Sequence, residues 1–173
     1  RHAIAARYRP QAATLVHRAL TEPIVAGELR LPPLAEAQLA REVEFVFPIP
    51  DRPGAGAAGR ARGFVKGFID AVACWPGDAR WFVIDYKSDV IDLGADAATA
   101  HVAEHYQTQA RLYALAVATM MRLRDPADHA RRFGGLLYWF LRSGRIVHLA
   151  PTAGDLDRYR AELAAQDFSE DRP

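Results

Sequence analysis

The chain has little sulfur: one cysteine, Cys74, and two methionines in 173 residues. A lone thiol closes no internal disulfide, and it excludes a cysteine-ligated zinc or iron–sulfur site built from this chain's own residues. A reducing, cytoplasmic setting is the expectation that follows. Charge of either sign is not in excess, since 22 Lys and Arg against 21 Asp and Glu leave a net charge of +1. That excludes the strongly basic surface by which proteins coat nucleic acid non-specifically, although a local positive track remains compatible with it. No apolar run approaches the ~18 residues of a membrane-spanning helix, and no signal peptide is visible, so no membrane partner is expected. With half of its residues hydrophobic, the chain can bury the core of one domain. It opens Arg1-His2-Ala3 without an initiator methionine and reads as an excerpt of something longer.

Residues 11–21 have a helical pattern that ends near Pro23, and 33–40 fits a short helix with Pro33 in its first turn. Residues 43–49 alternate loosely and end among prolines, as a strand does. The stretch 51–63 is rich in glycine and reads as a flexible surface loop. Residues 64–75 and 80–87 read as two strands joined at Pro76-Gly77-Asp78, a hairpin. A long helix is expected over 97–122, then a continuous apolar strand over 133–141 of the kind buried on both faces. A strand at 145–149, paired with it across Ser143-Gly144, a helix at 155–165 and a frayed tail at 167–173 complete the chain. This order of elements predicts a single α/β domain with a central mixed sheet flanked by helices.

The chemistry concentrates in Gly67-Phe68-Ile69-Asp70 and, fifteen residues after Asp70, in Ile84-Asp85-Tyr86-Lys87. In a strand, side chains alternate with period two, so Val83, Asp85 and Lys87 share one face and Phe82, Ile84 and Tyr86 the other. An acid and an amine on an apolar strand are expensive to desolvate unless a cation, a partner or water compensates. Two carboxylates at neighbouring strand ends suit a hard divalent cation such as Mg²⁺, and a nearby ammonium suits the charge that develops on a phosphoryl group under attack. A metal-dependent phosphodiesterase is therefore the first hypothesis. An ordinary strand-end ion pair between Asp85 and Lys87 would give the same spacing.

Other residues carry less by themselves. Glu44, at the start of a strand, is a candidate third carboxylate, with Glu42 on the same face as its rival and a solvent-facing glutamate as the plain alternative. Gln109 and Tyr113 are four apart on a helix and share a face, as two residues of a core stripe would also do. The six histidines show no spacing typical of a transition-metal site; His101 and His105 are i, i+4 but lack the His-Glu-x-x-His order of a zinc protease. Arg122, Arg124, Arg131 and Arg132 form a basic cluster that is either a solvated surface or a contact to a phosphate backbone.

Taken in order, Arg41-Glu42-Val43-Glu44-Phe45, Gly67-Phe68-Ile69-Asp70, Ile84-Asp85-Tyr86-Lys87-Ser88-Asp89, Tyr106-Gln107-Thr108-Gln109-Ala110-Arg111-Leu112-Tyr113 and Phe133-Gly134-Gly135-Leu136-Leu137-Tyr138-Trp139-Phe140-Leu141-Arg142 resemble RecB-type nuclease domains. These are the nuclease domains of exodeoxyribonuclease V beta subunits, within the PD-(D/E)xK superfamily. The resemblance runs from about residue 13 to residue 142. It implies a restriction-endonuclease-like core and Mg²⁺-dependent hydrolysis of DNA phosphodiesters.

It also implies roles. Asp70, Asp85 and the backbone carbonyl of Tyr86 would be metal ligands, Glu44 would match the acidic residue of the first core strand, and Lys87 would be the catalytic lysine. Gln109 and Tyr113 would match a Gln-x-x-x-Tyr helix motif that positions the DNA strand or the lysine. The implied partners are single- and double-stranded DNA ends, a helicase region of the same chain, and the gamma and alpha subunits of an exodeoxyribonuclease V complex, in the repair of double-strand breaks and the degradation of DNA ends. The family uses a further metal-binding histidine upstream of the first core strand. Only His2 and His17 precede that strand here, and neither aligns with the family's histidine helix, so that histidine is expected outside this chain. A catalytically incomplete module that docks DNA or partner subunits is the rival reading.

Overall fold

The computed structural model describes residues 5–51, 63–89 and 94–166. His2, the interior of the 51–63 loop and the 167–173 tail lie outside the described residues. After a 3-10 turn at Ala6–Tyr8 come α1 (Arg9–Thr21), the short strands β1 (Ile24–Ala26) and β2 (Leu29–Leu31), and a second 3-10 turn at Leu34–Glu36. The main elements follow: β3 (Gln38–Pro48), β4 (Phe64–Cys74), β5 (Trp81–Lys87), α2 (Ala95–His105), α3 (Gln107–Met120), α4 (Pro126–Arg132), β6 (Phe133–Phe140), β7 (Arg145–Leu149) and α5 (Ala153–Ala165).

Among the described residues the main sheet has five strands in the order β3-β4-β5-β6-β7, and β5–β6 is its parallel pair. The crossover between those two strands carries α2, α3 and α4, as a parallel connection requires. Alternation along β5 and β6 feeds two cores. Val83, Leu136, Tyr138 and Phe140 pack with α2, α3 and α5. Phe82, Ile84, Leu137 and Trp139 pack on the opposite face with Trp75, β1, β2 and part of α1. All eight residues of β6 are buried, the doubly covered strand that its unbroken apolar run predicts. The turn between β4 and β5 falls where Pro76-Gly77-Asp78 places it, with Gly77 at φ 85° and the Asp78 N–H donating to the Trp75 carbonyl at 3.0 Å.

Local patterning fails in four places. The helix expected over 33–40 is a single 3-10 turn, after which β3 begins at Gln38. Pairing with β4, from Gln38↔Cys74 onward, overrides the helical tendency of that segment, and the Trp75 indole N–H pins the turn through the Pro33 carbonyl at 3.1 Å. The helix expected over 97–122 is two helices broken at Tyr106 (φ −121°, ψ 9°). No glycine or proline marks the break. Instead the Tyr106 ring is held by tertiary contacts, stacked on Tyr138 at 5.6 Å. The β1–β2 hairpin, with three residues per strand, and the seven-residue α4 are too short to register as periodicity. Asp125 caps α4, and Asp128 gathers Arg131 and Arg132 at 2.5 and 3.3 Å, so part of the basic cluster serves that helix. None of the helices is long and apolar enough to cross a membrane among the described residues.

Candidate active site

The site arises where two strands stop pairing. β4 and β5 share three partner positions, ending at Ala71↔Ile84. Beyond it β4 continues along β3 as far as Phe64, and β5 continues along β6 as far as Lys87. The strands part, and side chains from β4, β5 and α3 fill the notch. Asp70, the first residue of β4 past the last pair, accepts a hydrogen bond from the Tyr86 N–H at 2.9 Å. The carboxylate thus replaces the lost ladder bond with a charge-assisted one.

Asp85 and Lys87 lie on the face of β5 turned to α3, as alternation predicts. Lys87 Nζ is 2.7 Å from Asp85 Oδ2, and the side chains are 14% and 5% exposed respectively. Gln109 on α3 joins them: Oε1 accepts from Lys87 at 2.9 Å, and Nε2 donates to Asp85 Oδ1 at 3.2 Å and to the Tyr113 hydroxyl at 3.0 Å. Tyr113 in turn donates to the Phe68 carbonyl at 2.7 Å. Both ends of the glutamine amide are used, so a glutamate there would lose the donor to Asp85 and Tyr113. Alanines at 110, 114, 116 and 118 are buried along α3, and their small size lets the helix approach the sheet closely enough for Gln109 to reach.

Gly67 has a steric reason. A Cβ there would lie 2.6 Å from the Phe45 ring, and Phe45 meets Tyr113 edge-on at 5.9 Å. The glycine lets a core ring sit on β4 and brace the tyrosine.

The electrostatics favour a cation. Burial pushes the Asp85 carboxyl above its ordinary value; Lys87 pulls it down by less, and Asp70 adds to the rise. Tyr113 is raised by burial and then by the charge of Asp85, and Tyr138 likewise. Tyr106 is pushed up to about 12 by burial and by Asp89, to which its hydroxyl hydrogen-bonds. Asp85 Oδ2 is buried and its one close partner is the Lys87 ammonium. Two carboxylates, one of them buried, are an all-oxygen set that fits a hard divalent ion completed by waters.

The structure brings together Asp70, Asp85, Tyr86, Lys87, Gln109 and Tyr113. It does not bring Glu44 to them. Glu44 sits on β3 opposite Phe68, half-exposed and 2.5 Å from Lys66, and no third His, Cys, Asp or Glu joins the two aspartates as a metal cluster among the described residues. Its rival Glu42 stands at the level of Asp70 with φ 49°, between the pairs Arg41↔Ala71 and Val43↔Ile69. His17 lies on the exposed part of α1. Sequence reasoning assigns no role to Tyr106, whose ring lies 3.9 Å from Lys87 Nζ, or to Tyr138 at 5.5 Å. The signal for Tyr106 was its spacing, three before Gln109 and seven before Tyr113, which puts all three on one face of the helix expected over 97–122.

The family model of the PD-(D/E)XK nuclease superfamily matches residues 2–171. RecBCD enzyme subunit RecB of Escherichia coli (strain K12) is 32% identical over 121 residues, which cover 64% of this chain and 10% of that protein. The match therefore spans about a tenth of the relative's length.

Proposed function

This chain belongs to the PD-(D/E)XK nuclease superfamily, and on that premise we propose that it is a Mg²⁺-dependent nuclease domain that hydrolyses DNA phosphodiester bonds. The observation that carries the reading is the Asp85–Lys87–Gln109–Tyr113 network set in the notch beside Asp70. Asp70, Asp85 and the Tyr86 carbonyl would hold the cation. Glu44 is left out of the set because it stands opposite Phe68 rather than Asp70 and forms no ligand cluster with the two aspartates among the described residues. When bound, the cation supplies positive charge at the phosphoryl oxygens and acidifies a coordinated water.

Each residue of the chain then has a task. Lys87, fixed between Asp85, Gln109 and the Tyr106 face, places a positive charge where negative charge grows as water attacks phosphorus in line with the leaving oxygen. Gln109 and Tyr113 are positioning residues. They fix the Asp85 carboxylate and the lysine relative to β4 through the Phe68 carbonyl. The relative's name supports a RecBCD-type setting, in which the domain follows a helicase region, works with the other subunits of an exodeoxyribonuclease V complex, and degrades DNA ends at double-strand breaks.

The test is calorimetric titration of Mg²⁺ and Ca²⁺ into this chain, alongside cleavage of linear single-stranded DNA with an Asp85→Ala control. Metal binding with cleavage that falls at least about a hundredfold in the variant is the expected result. Metal binding without cleavage would move the chain to the docking-module reading. Wild-type cleavage by Asp85→Ala would overturn the assignment of the site.

A further inference from the structure

Lys87 is the last residue of β5, and its ammonium rides on a flexible four-carbon stem. Three groups hold it: Asp85 Oδ2 at 2.7 Å, Gln109 Oε1 at 2.9 Å and the Tyr106 ring, whose centroid is 3.9 Å from Nζ. These holds differ in kind. Asp85 is also a proposed metal ligand, and once its charge is shared the ammonium keeps less of that attraction and needs a hold of another sort. An aromatic face supplies one. It attracts a cation through its quadrupole, more strongly where water is excluded, and it carries no net charge of its own.

The Tyr106 ring is fixed for this from both ends. Its backbone is the joint between α2 and α3: the N–H donates to the Val102 carbonyl and the carbonyl accepts from the Ala110 N–H, each at 2.9 Å. The ring stacks on Tyr138, which is fully buried on β6 as the strand partner of Asp85. The hydroxyl donates to the carboxylate of Asp89, two residues beyond Lys87. Asp89 thus ties the exit of β5 to the helix joint, with the lysine between them. We propose that Tyr106 is a positioning residue whose ring face holds the Lys87 ammonium independently of Asp85, and that Asp89 is the strut that keeps the ring there. The proposal deepens the nuclease reading and rests on it for what the lysine does, whereas the hold itself is a property of the metal-free chain.

The experiment reads that hold without metal or DNA. The chain is acetylated briefly in EDTA with an amine-selective ester, and Lys87 is compared by mass spectrometry with Lys66, the chain's other lysine, which is exposed. Tyr106→Leu and Tyr106→Phe are measured alone and on an Asp85→Asn background, which removes the competing charge. Tyr106→Leu should speed Lys87 acetylation at least about tenfold on that background and less than about threefold alone, and Tyr106→Phe less than about threefold in both. Cleavage kcat should fall about tenfold in Tyr106→Leu, with KM within about threefold, and recover in Tyr106→Phe. A packing role alone would neither depend on Asp85 nor spare kcat in the ring-keeping variant. No release of Lys87 by Tyr106→Leu on the Asp85→Asn background, or equal release by Tyr106→Phe, would overturn the hold. Asp89→Ala on the same background tests the strut at an exposed position and carries the test if urea unfolding shows that the leucine variant does not fold: faster Lys87 acetylation supports the proposal, and an unchanged rate overturns it. If wild type does not cut DNA but Lys87 is released as expected, the hold stands and the nuclease reading fails. If wild type cuts in an Asp85-dependent way and Lys87 is not released, the hold alone fails.

Discussion

The two halves of β4 are built from similar residues and do different work. From Ala71 to Ala73 the strand lies between β3 and β5, and all three residues are buried. From Phe64 to Asp70 it pairs with β3 alone, packs one face on α3 and leaves the other bare. In the first half, backbone ladders satisfy the strand. In the second, side chains take over: Asp70 bonds the Tyr86 N–H, and Tyr113 bonds the Phe68 carbonyl. Buried or half-buried peptide groups need partners, so a sheet that opens must supply them from side chains. Here those side chains are the candidate active site. Ladder bonds need only a neighbouring strand, whereas the opened half depends on the identity of single residues and is the more sensitive to substitution.

The largest effect on stability should come from Lys87→Met, which leaves Asp85 buried and unpaired in the opened half. Loss of one partner of a buried pair costs about 3 kcal/mol or more. The loss depends on pH with a defined sign. Because the Asp85 carboxyl is raised in the folded state, the folded chain holds that proton more tightly than the unfolded one. The ionised carboxylate therefore destabilises fully above its raised value and not at all below its ordinary value of 3.8. Urea midpoints of metal-free Lys87→Met should fall furthest below wild type at alkaline pH and converge with it as the pH drops. A constant gap would mean that Asp85 stays ionised throughout.

Gly67→Ala tests the bracing of the opened half. The new methyl meets the Phe45 ring and should cost about 1–3 kcal/mol by overpacking. Cleavage should fall with it, because Tyr113 leans on the same ring. Full wild-type activity together with the stability loss would separate the brace from the chemistry. The smallest effect is expected from Glu42→Gly, at the level where the two halves meet. A non-glycine residue at φ 49° carries strain of about 1 kcal/mol, partly offset by the chain entropy of glycine. Thermal unfolding should show a gain of less than about 1 kcal/mol. A loss would mean that the Glu42 side chain itself holds the junction.

This junction also explains what alternation along the strand misses. In β4, Ile69 belongs to the core under α3, whereas Ala71, two residues on, belongs to the opposite core. In β3, Val43 and Leu39 divide in the same way. Period-two patterning puts such pairs on one face, so the change of face between Ile69 and Ala71 cannot be seen in the apolar pattern. Glu44 suffers for the same reason. Its place on a core strand is legible, but its pairing with Lys66 depends on which face the strand presents there.

By itself the sequence determined what depends on near neighbours along the chain. Asp85 and Lys87 share a face of β5, Gln109 and Tyr113 share a face of α3, the Pro-Gly-Asp turn joins β4 to β5, and β6 is apolar enough to be buried on both faces. Strand and helix periodicities are local, and they survive folding. The tertiary structure alone decided where β4 leaves β5, which ring rests on Gly67, why the helix breaks at Tyr106, and that the rings of Phe64 and Phe68 stay outside. Each of these is settled by contacts between residues far apart in the chain, whose combined free energy outweighs the local preference of any one segment.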